Sequence, residues 1–184
     1  DALSVTSISG LGSDLVGIYS ASGEISGLGT ENVSITDTGT LASSTVTSID
    51  AYTTGTVTLS GAGSLTLSST AGQTVDLSGV TNSLSGTLTI NDSTGDEIII
   101  GTSGNDIINI SSGYDTVNAG NGADTINIAI DNLDNADTVN GGNGTDSINF
   151  SSSGTLTSTD LTNVSGVENL NFSSGNDTFS FTDK

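Results

Sequence analysis

The chain contains no cysteine, histidine, methionine, tryptophan or proline. Without thiol and imidazole groups, zinc, copper, haem and iron–sulfur centres lose their usual protein ligands. Oxygen atoms remain as metal ligands, and a set of oxygen ligands suits calcium. The lack of cysteine also excludes a disulfide framework.

Positive charge is almost as scarce. Lys184 is the single Lys or Arg against 21 Asp and Glu, and the formal net charge is −20. Nucleic acids and anionic membrane surfaces are bound mainly through Lys and Arg, so we expect neither as a partner. Bound cations are the natural way to offset so much negative charge.

Long apolar runs are missing as well, because no stretch of about 18 apolar residues occurs. We therefore expect no insertion into a membrane. The chain begins at Asp1 and without a signal peptide, which we interpret as the mark of a piece of a longer protein.

A nine-residue repeat runs through the middle of the chain. Residues 92–127 divide into four blocks of nine, and residues 132–149 form two more after the insertion 128–131. The blocks carry an acidic residue at position six, a β-branched residue at position eight and, except at Asn135, glycine at position four. The acidic residues are Glu97, Asp106, Asp115, Asp124, Asp137 and Asp146. Turn preference alone does not require this fixed phase, so the pattern predicts repeated turns and short strands.

Block 141–149, GGNGTDSIN, fits the pattern G-G-x-G-x-D-x-U-x, in which U is a large apolar residue. Residues 92–149 thus resemble the nonapeptide repeats of the repeats-in-toxin (RTX) family, which form a calcium-dependent parallel β-roll. The resemblance implies a turn over the first six residues of each block and a strand over the last three. It also implies two blocks per coil, with several calcium ions between turns stacked on the same side.

The resemblance implies a set of calcium ligands in these turns. Aspartates on one edge would be Asp106, Asp124 and Asp146, and those on the other edge would be Asp115 and Asp137. Further candidate ligands, through backbone or side-chain oxygens, are Gly101, Gly104, Gly113, Gly120, Gly122, Gly141, Gly142, Gly144, Asn105, Asn121 and Asn143. The asparagines either donate oxygens or support the turns. Glu97 is either a ligand or a solvated position, and Asp177 belongs to an outlying unit, SSGNDTFSF (173–181), that leaves its role equally open.

Stacking would bring same-edge aspartates to within roughly 5 Å, the spacing of neighbouring strands. At that distance two unit charges repel by about 3 kcal/mol, even at an effective dielectric constant near 20. We therefore expect the repeat tract to be unfolded or loose without metal, so that calcium binding and folding are one event.

Short apolar doublets continue upstream of the repeats: Val33/Ile35, Val57/Leu59, Leu65/Leu67, Val75/Leu77 and Leu88/Ile90. They indicate strands rather than helices, because no stretch sustains an i, i+3, i+4, i+7 pattern. We expect an all-β fold, a parallel β-roll or β-helix solenoid with calcium ions between coils in the C-terminal half. Residues 1–91 would be a Ser/Thr/Gly-rich solenoid region and residues 92–184 the calcium-binding β-roll with its C-terminal flank. A β-sandwich is the alternative for 1–91, and for residues 1–30 a cap, an interface strand and a helix-containing junction all stay open.

Catalysis is not expected. Polysaccharide-cleaving carboxylate pairs usually work beside cationic or tyrosine side chains, and neither H-E-x-x-H nor G-x-S-x-G occurs. We expect a secreted, calcium-binding structural segment of a bacterial cell-surface (S-layer) or extracellular matrix protein, with calcium driving folding and assembly. Self-association into a sheet or filament is expected, and cell-surface polysaccharide is a further candidate partner. The alternatives are a calcium-rigidified region of a large RTX adhesin and the secretion-assisting block of a toxin or exoenzyme; the resemblance implies type I secretion.

Overall fold

The computed structural model describes residues 5–20 and 28–180. In chain order its first elements are β1 (Ser7–Gly10), α1 (Gly12–Ser20), β2 (Asn32–Ile35), β3 (Gly39–Ala42), α2 (Ser43–Tyr52), β4 (Val57–Gly61), β5 (Leu65–Ser68), β6 (Thr74–Asp76), β7 (Val80–Leu84) and β8 (Leu88–Asn91). The later elements are β9 (Ile98–Ile100), β10 (Asp106–Asn109), β11 (Thr116–Asn118), β12 (Asn121–Gly122), β13 (Thr125–Ile128), a 3-10 turn (Ile130–Asn132), β14 (Thr138–Asn140), β15 (Asn143–Gly144), β16 (Ser147–Phe150), β17 (Thr155–Thr157), β18 (Val164–Ser165), β19 (Asn169–Asn171) and β20 (Thr178–Ser180). Predictions that fall on residues 1–4, 21–27 and 181–184, including the lone cation Lys184, lie outside the described residues.

The strands assemble into three larger sheets by parallel pairing. The first sheet has the order β1-β2-β4-β7, the second β19-β16-β13-β10-β8-β5-β3, and the third β18-β14-β11-β9-β6. Two short pairs, β12–β15 and β17–β20, complete the set. Every pairing recorded in residues 5–20 and 28–180 is parallel. The expected parallel β architecture is therefore confirmed, and it differs from the antiparallel sheets of an immunoglobulin-like sandwich.

Alternation of buried and outward-facing side chains explains why these segments are strands. In β8, Leu88 and Ile90 are buried while Thr89 and Asn91 are partly exposed, which is the two-residue period of an extended chain. The same alternation buries both members of each predicted doublet: Val33, Ile35, Val57, Leu59, Leu65, Leu67, Val75, Leu77, Leu88 and Ile90. The core thus contains a stack of short aliphatic rows contributed by these strands.

The second sheet keeps one register through the repeat tract. Ile90 pairs with Ile108, Ile108 with Ile126, and Ile126 with Ile148. Equivalent residues are 18 positions apart before the insertion and 22 apart across it. The extra residues are taken up around the 3-10 turn, where Ile130 is fully buried, so the insertion leaves the strand stacking intact.

A row of hydrogen-bonded asparagine side chains runs along the outer face of the second sheet. This asparagine ladder consists of Asn91, Asn109, Asn127, Asn149 and Asn171. Each side-chain amide donates to the side-chain oxygen of the preceding member, at N–O distances between 2.6 and 3.1 Å. The ladder links the strands without any charged group.

Two α-helices depart from the all-β expectation. In α1 the buried apolar residues are Leu15 and Tyr19, and in α2 they are Val46 and Ile49. The helices pack against each other, and each needs only two apolar residues, four or three apart, to bury its inner side. Such short helices give no sustained apolar period, which is why the sequence did not predict them. Of the three options for residues 1–30, a helix is present at Gly12–Ser20.

The predicted division at residues 91 and 92 falls within the second sheet. Strand β8, just before it, pairs with both β5 and β10. The division stays a prediction. No helix in the described part of the chain is both long and apolar enough to cross a membrane.

Candidate metal centre

The acidic residues of the repeat blocks stack in two columns. Column 1 consists of Asp106, Asp124, Asp146 and Glu168, and column 2 consists of Glu97, Asp115 and Asp137. All are buried except Glu168. The structure therefore brings together the five predicted aspartates in the two sets that the repeat implies, and it adds one glutamate to each set.

Column 1 is held together by bonds from backbone to carboxylate. The N–H of Asp106 donates to Oδ1 of Asp124 at 2.8 Å, and the N–H of Asp124 donates to Oδ1 of Asp146 at 2.7 Å. At the lower end the N–H of Asp146 donates to Oε2 of Glu168 at 2.7 Å. Each carboxylate from Asp124 onward thus accepts, at one of its oxygens, a hydrogen bond from the backbone of the neighbouring turn.

Column 2 repeats this arrangement. The N–H of Glu97 donates to Oδ1 of Asp115 at 2.9 Å, and the N–H of Asp115 donates to Oδ1 of Asp137 at 2.8 Å. Asp137 also accepts the N–H of Asp134 at its second oxygen, at 2.9 Å. The lowest member of column 2 therefore has both oxygens hydrogen-bonded within the protein.

Among the described residues, four buried carboxylate oxygens have no hydrogen-bond partner: Glu97 Oε2, Asp115 Oδ2, Asp124 Oδ2 and Asp146 Oδ2. A buried polar atom without a partner is costly, and more so when it carries charge. The described residues include no Lys, Arg or His that could neutralise these groups. Because only hard oxygen donors are present, the residues fit a calcium ion, which takes six to eight such ligands in flexible geometry.

Burial and mutual repulsion act on the protonation of the columns. Burial, with added repulsion from Asp106 and Asp146, raises the pKa of Asp124 to about 7. Burial likewise raises the pKa of Asp106, Asp115 and Asp137 above the usual aspartate value. A cation between these carboxylates would act in the opposite direction, since a nearby positive charge favours the ionised form.

Glycine allows the turns to stack closely. Gly120 and Gly142 have φ values of +109° and +100°. A Cβ on Gly142 would lie 1.9 Å from the carbonyl oxygen of Gly120, and one on Gly120 would lie 2.3 Å from that of Thr102. Only glycine fits both the backbone conformation and the contact, so glycine at these two positions allows adjacent turns to pack closely.

The predicted asparagines make contacts between turns. Asn105 accepts the N–H of Ala123 at its side-chain oxygen at 2.8 Å, and the Asn143 side chain donates to Asn121 at 2.9 Å. The structure therefore shows these side chains supporting the stacked turns. Their role as metal ligands stays a prediction.

Asp177 lies in neither column. Asp177 accepts the N–H of Gly154 at 3.3 Å. The strand that follows it, β20, pairs with β17, and Thr178 of β20 aligns with Thr155 of β17. The turn on which it stacks carries no acidic residue at the matching position, so the structure does not bring Asp177 to another carboxylate in that register.

Sequence reasoning missed two acidic residues. Glu168 keeps the repeat phase, because Gly166 precedes it by two positions and Leu170 follows it by two, and this signal was available. Asp92 occupies position one of its block, where no acidic residue is expected. Its carboxylate lies within 4.8 Å of those of Glu97 and Asp115, measured between one ligand oxygen of each. We call these three residues the junction cluster.

Comparison with protein-family models, with curated proteins and with solved structures finds no match to this chain. The function must therefore be inferred from the chemistry of the two columns and of the turns that hold them.

Proposed function

We propose that the chain is a calcium-binding β-solenoid segment of a secreted bacterial cell-surface or extracellular matrix protein. The observation that carries this proposal is the set of four buried, unpartnered carboxylate oxygens in the two columns. A protein without internal positive charge gains most from neutralising such oxygens with bound cations.

The regular register supports calcium sites between stacked turns. Carboxylates in each column recur at intervals of 18 and then 22 residues, and each is tied to its neighbour through the backbone. One oxygen fixes the next turn and the other is free of protein partners at Asp115, Asp124 and Asp146. An ion at that free oxygen would draw further ligands from the adjacent turn, as the RTX resemblance implies.

Coupled folding gives the proposal its biological sense. Calcium is scarce in the cytosol and abundant outside the cell, so a chain that folds only with calcium can be exported unfolded. The metal-free columns oppose folding, because their carboxylates are buried close to one another without counter-charge. This fits the RTX resemblance and its implication of type I secretion.

Assembly into a sheet or filament is the second part of the proposal. The last strand of the second sheet, β19, pairs with β16 and leaves its other edge without a strand in the described residues. Nearby, Leu170, Phe172 and Phe179 are exposed large apolar side chains. Open strand edges beside apolar surface favour pairing with another chain, which suits a structural coat.

Calcium titration of the metal-free chain tests the proposal. We expect the far-ultraviolet circular dichroism to change from largely unfolded to β-rich as calcium is added, and light scattering to rise at higher protein concentration. Magnesium is the matched control, since it demands stricter octahedral geometry and should be far less effective. A β signal already complete in excess chelator would refute the calcium function, and monomers at all calcium concentrations would refute the assembly.

A further inference from the structure

The junction cluster differs from the regular column sites in having three carboxylates. Asp92, Glu97 and Asp115 each place a ligand oxygen within 4.8 Å of the others. Glu97 and Asp115 are fully buried, and each has one oxygen without any hydrogen-bond partner, Oε2 and Oδ2 respectively. Proximity and unpartnered burial are separate observations, and both indicate a cation.

The block that begins at Asp92 departs from the repeat. Position one holds Gly101 and Gly141 in two column 1 blocks, and it holds Ile110 in the next block of column 2. Ile110 is a buried apolar side chain, so a carboxylate at the same position in the preceding block of column 2 is not part of the ordinary turn. Asp92 therefore brings a ligand that the repeat pattern does not supply.

Hydrogen bonds around the cluster reach three successive turns. On the upstream side, the N–H of Gly72 donates to Oε1 of Glu97 at 2.6 Å. On the downstream side, the N–H of Ser111 donates to Oδ2 of Asp92 at 3.1 Å. These contacts join the turns that precede β6, β9 and β11. The cluster thus sits where the acid-poor strands meet the acidic ones.

We propose that Asp92 joins Glu97 and Asp115, the first two members of column 2, in a three-carboxylate calcium site that clamps the acid-poor strands to the repeat tract. The inference rests on the proposed calcium function and adds to it a ligand set that the nonapeptide does not contain. Three carboxylates give the site more negative charge than a pair in either column, and calcium affinity rises with the number of charged ligands. The site therefore fills before the column sites.

Terbium luminescence sensitised by tyrosine locates such a site. Tyr114 precedes Asp115 directly and is 64% exposed, whereas Tyr19 and Tyr52 lie in the helices α1 and α2. We expect terbium to give a Tyr114-dependent signal at the lowest concentrations, to be displaced by calcium, and to lose the signal in Tyr114→Phe.

Asp92→Asn is the decisive variant, and Asp131→Asn is its matched control, because Asp131 is an exposed acidic residue outside both columns. In Asp92→Asn we expect the tightest terbium midpoint to weaken about tenfold or more, as loss of a charged ligand predicts. Calorimetry should show the same weakening at the tightest calcium site. Asp131→Asn should match the wild type in both measurements.

The possible results separate this inference from the calcium function itself. If Asp92→Asn and Asp131→Asn both titrate like the wild type, while calcium still folds the chain, the junction site is wrong and the calcium function stands. If calcium and terbium leave the wild type unchanged, both fail. If Asp92→Asn does not fold in excess calcium, Asp92→Gly, which places at position one the residue found there in the blocks that begin at Gly101 and Gly141, takes its place in the same comparison.

Discussion

Strands β5 and β8 lie in the same sheet and register as strands β10, β13 and β16, yet the two groups fill one stacked position differently. Leu65 aligns with Leu88, and Leu88 aligns with Asp106. From Asp106 onward, the residue at this position is an aspartate that takes part in the hydrogen bonds of column 1. One backbone frame therefore accepts either an aliphatic side chain or a buried acid at the same place.

The comparison shows what each choice costs. A buried leucine contributes about 1.5–3 kcal/mol under any ionic condition. A buried carboxylate opposes folding unless it is neutralised by a proton or a cation. The acid-poor strands should thus be stable by themselves, whereas the stability of the acidic strands should depend on calcium and on pH.

Removing calcium should have the largest effect and should divide the molecule at this point. With a chelator, we expect amides of β10, β13 and β16 to exchange with solvent at nearly unfolded rates, because their columns lose the neutralising ion. Amides of β2, β4 and β5 should stay protected. Hydrogen exchange read by mass spectrometry measures both regions in one sample, and equal protection in the two would remove the distinction.

Acidification of the metal-free chain should partly restore the acidic strands. The pKa values of Asp92 and Asp124 are raised to about 7, against about 3.9 in an unfolded chain. The folded state therefore binds more protons between these values, and its stability is greatest below about pH 4 and falls as the pH rises through about 7. Circular dichroism in chelator should show more β structure at about pH 5 than at about pH 8.

With calcium present the pH trend should reverse, because protons compete with the ion for the same oxygens. A metal-free chain that loses β structure on mild acidification would contradict the raised pKa values and the burial that causes them.

Leu88→Ala should be the next largest effect. Leu88 is fully buried, and removing such a side chain costs about 2–5 kcal/mol of unfolding free energy. Because the loss comes from packing, urea unfolding of the acid-poor strands should show it with and without calcium. Thr89→Ala, on the outward side of the same strand, is the control, and a Leu88→Ala effect seen only in calcium would count against independent folding of this region.

The effect of Asp124→Asn on the free energy of unfolding should have opposite signs with and without calcium. In calcium it removes a charged ligand and should destabilise the chain by about 1–2 kcal/mol. In chelator it removes a buried charge while keeping an oxygen for the N–H of Asp106, so it should stabilise. Urea unfolding in the two buffers, with Asp131→Asn as control, measures the reversal; destabilisation of similar size in both would assign Asp124 a purely structural role.

Asn127→Ala should have the smallest effect on stability, and this effect should not depend on calcium. Asn127 donates to Asn109 and accepts from Asn149 in the asparagine ladder, and loss of these bonds should cost about 1 kcal/mol in either buffer. Thr125→Ala, two positions before it on the same face of β13, is the control. A calcium-dependent penalty would mean that the ladder and the columns are coupled.

The phase of the repeat was enough to predict how the five aspartates of the two columns are grouped. A fixed interval between Asp106 and Asp124 places them in one register whenever strands stack in parallel, and the insertion after β13 did not disturb this, since Asp146 follows in the same column. The apolar doublets likewise predicted the buried rows, because a two-residue period has one inner side.

Other features depended on contacts that no local pattern encodes. Asp92 lies near Glu97 and Asp115 only in the folded chain, and position one of the repeat gives no reason to expect an acidic residue. The apolar residues that α2 buries are Val46 and Ile49, so tertiary packing rather than a sustained sequence period selects this helix. Glu168 was a different case, because Gly166 and Leu170 made its phase readable from the sequence.

The 3-10 turn at Ile130–Asn132 has a consequence for how such a chain changes over generations. It absorbs four residues more than the preceding repeat while the asparagine ladder and both columns continue past it. The register of the strands therefore survives a difference in length at that corner, where Ile130 is buried and Asp131 is exposed. Frame-preserving insertions at residues 129–132 are where diversification of this protein should concentrate.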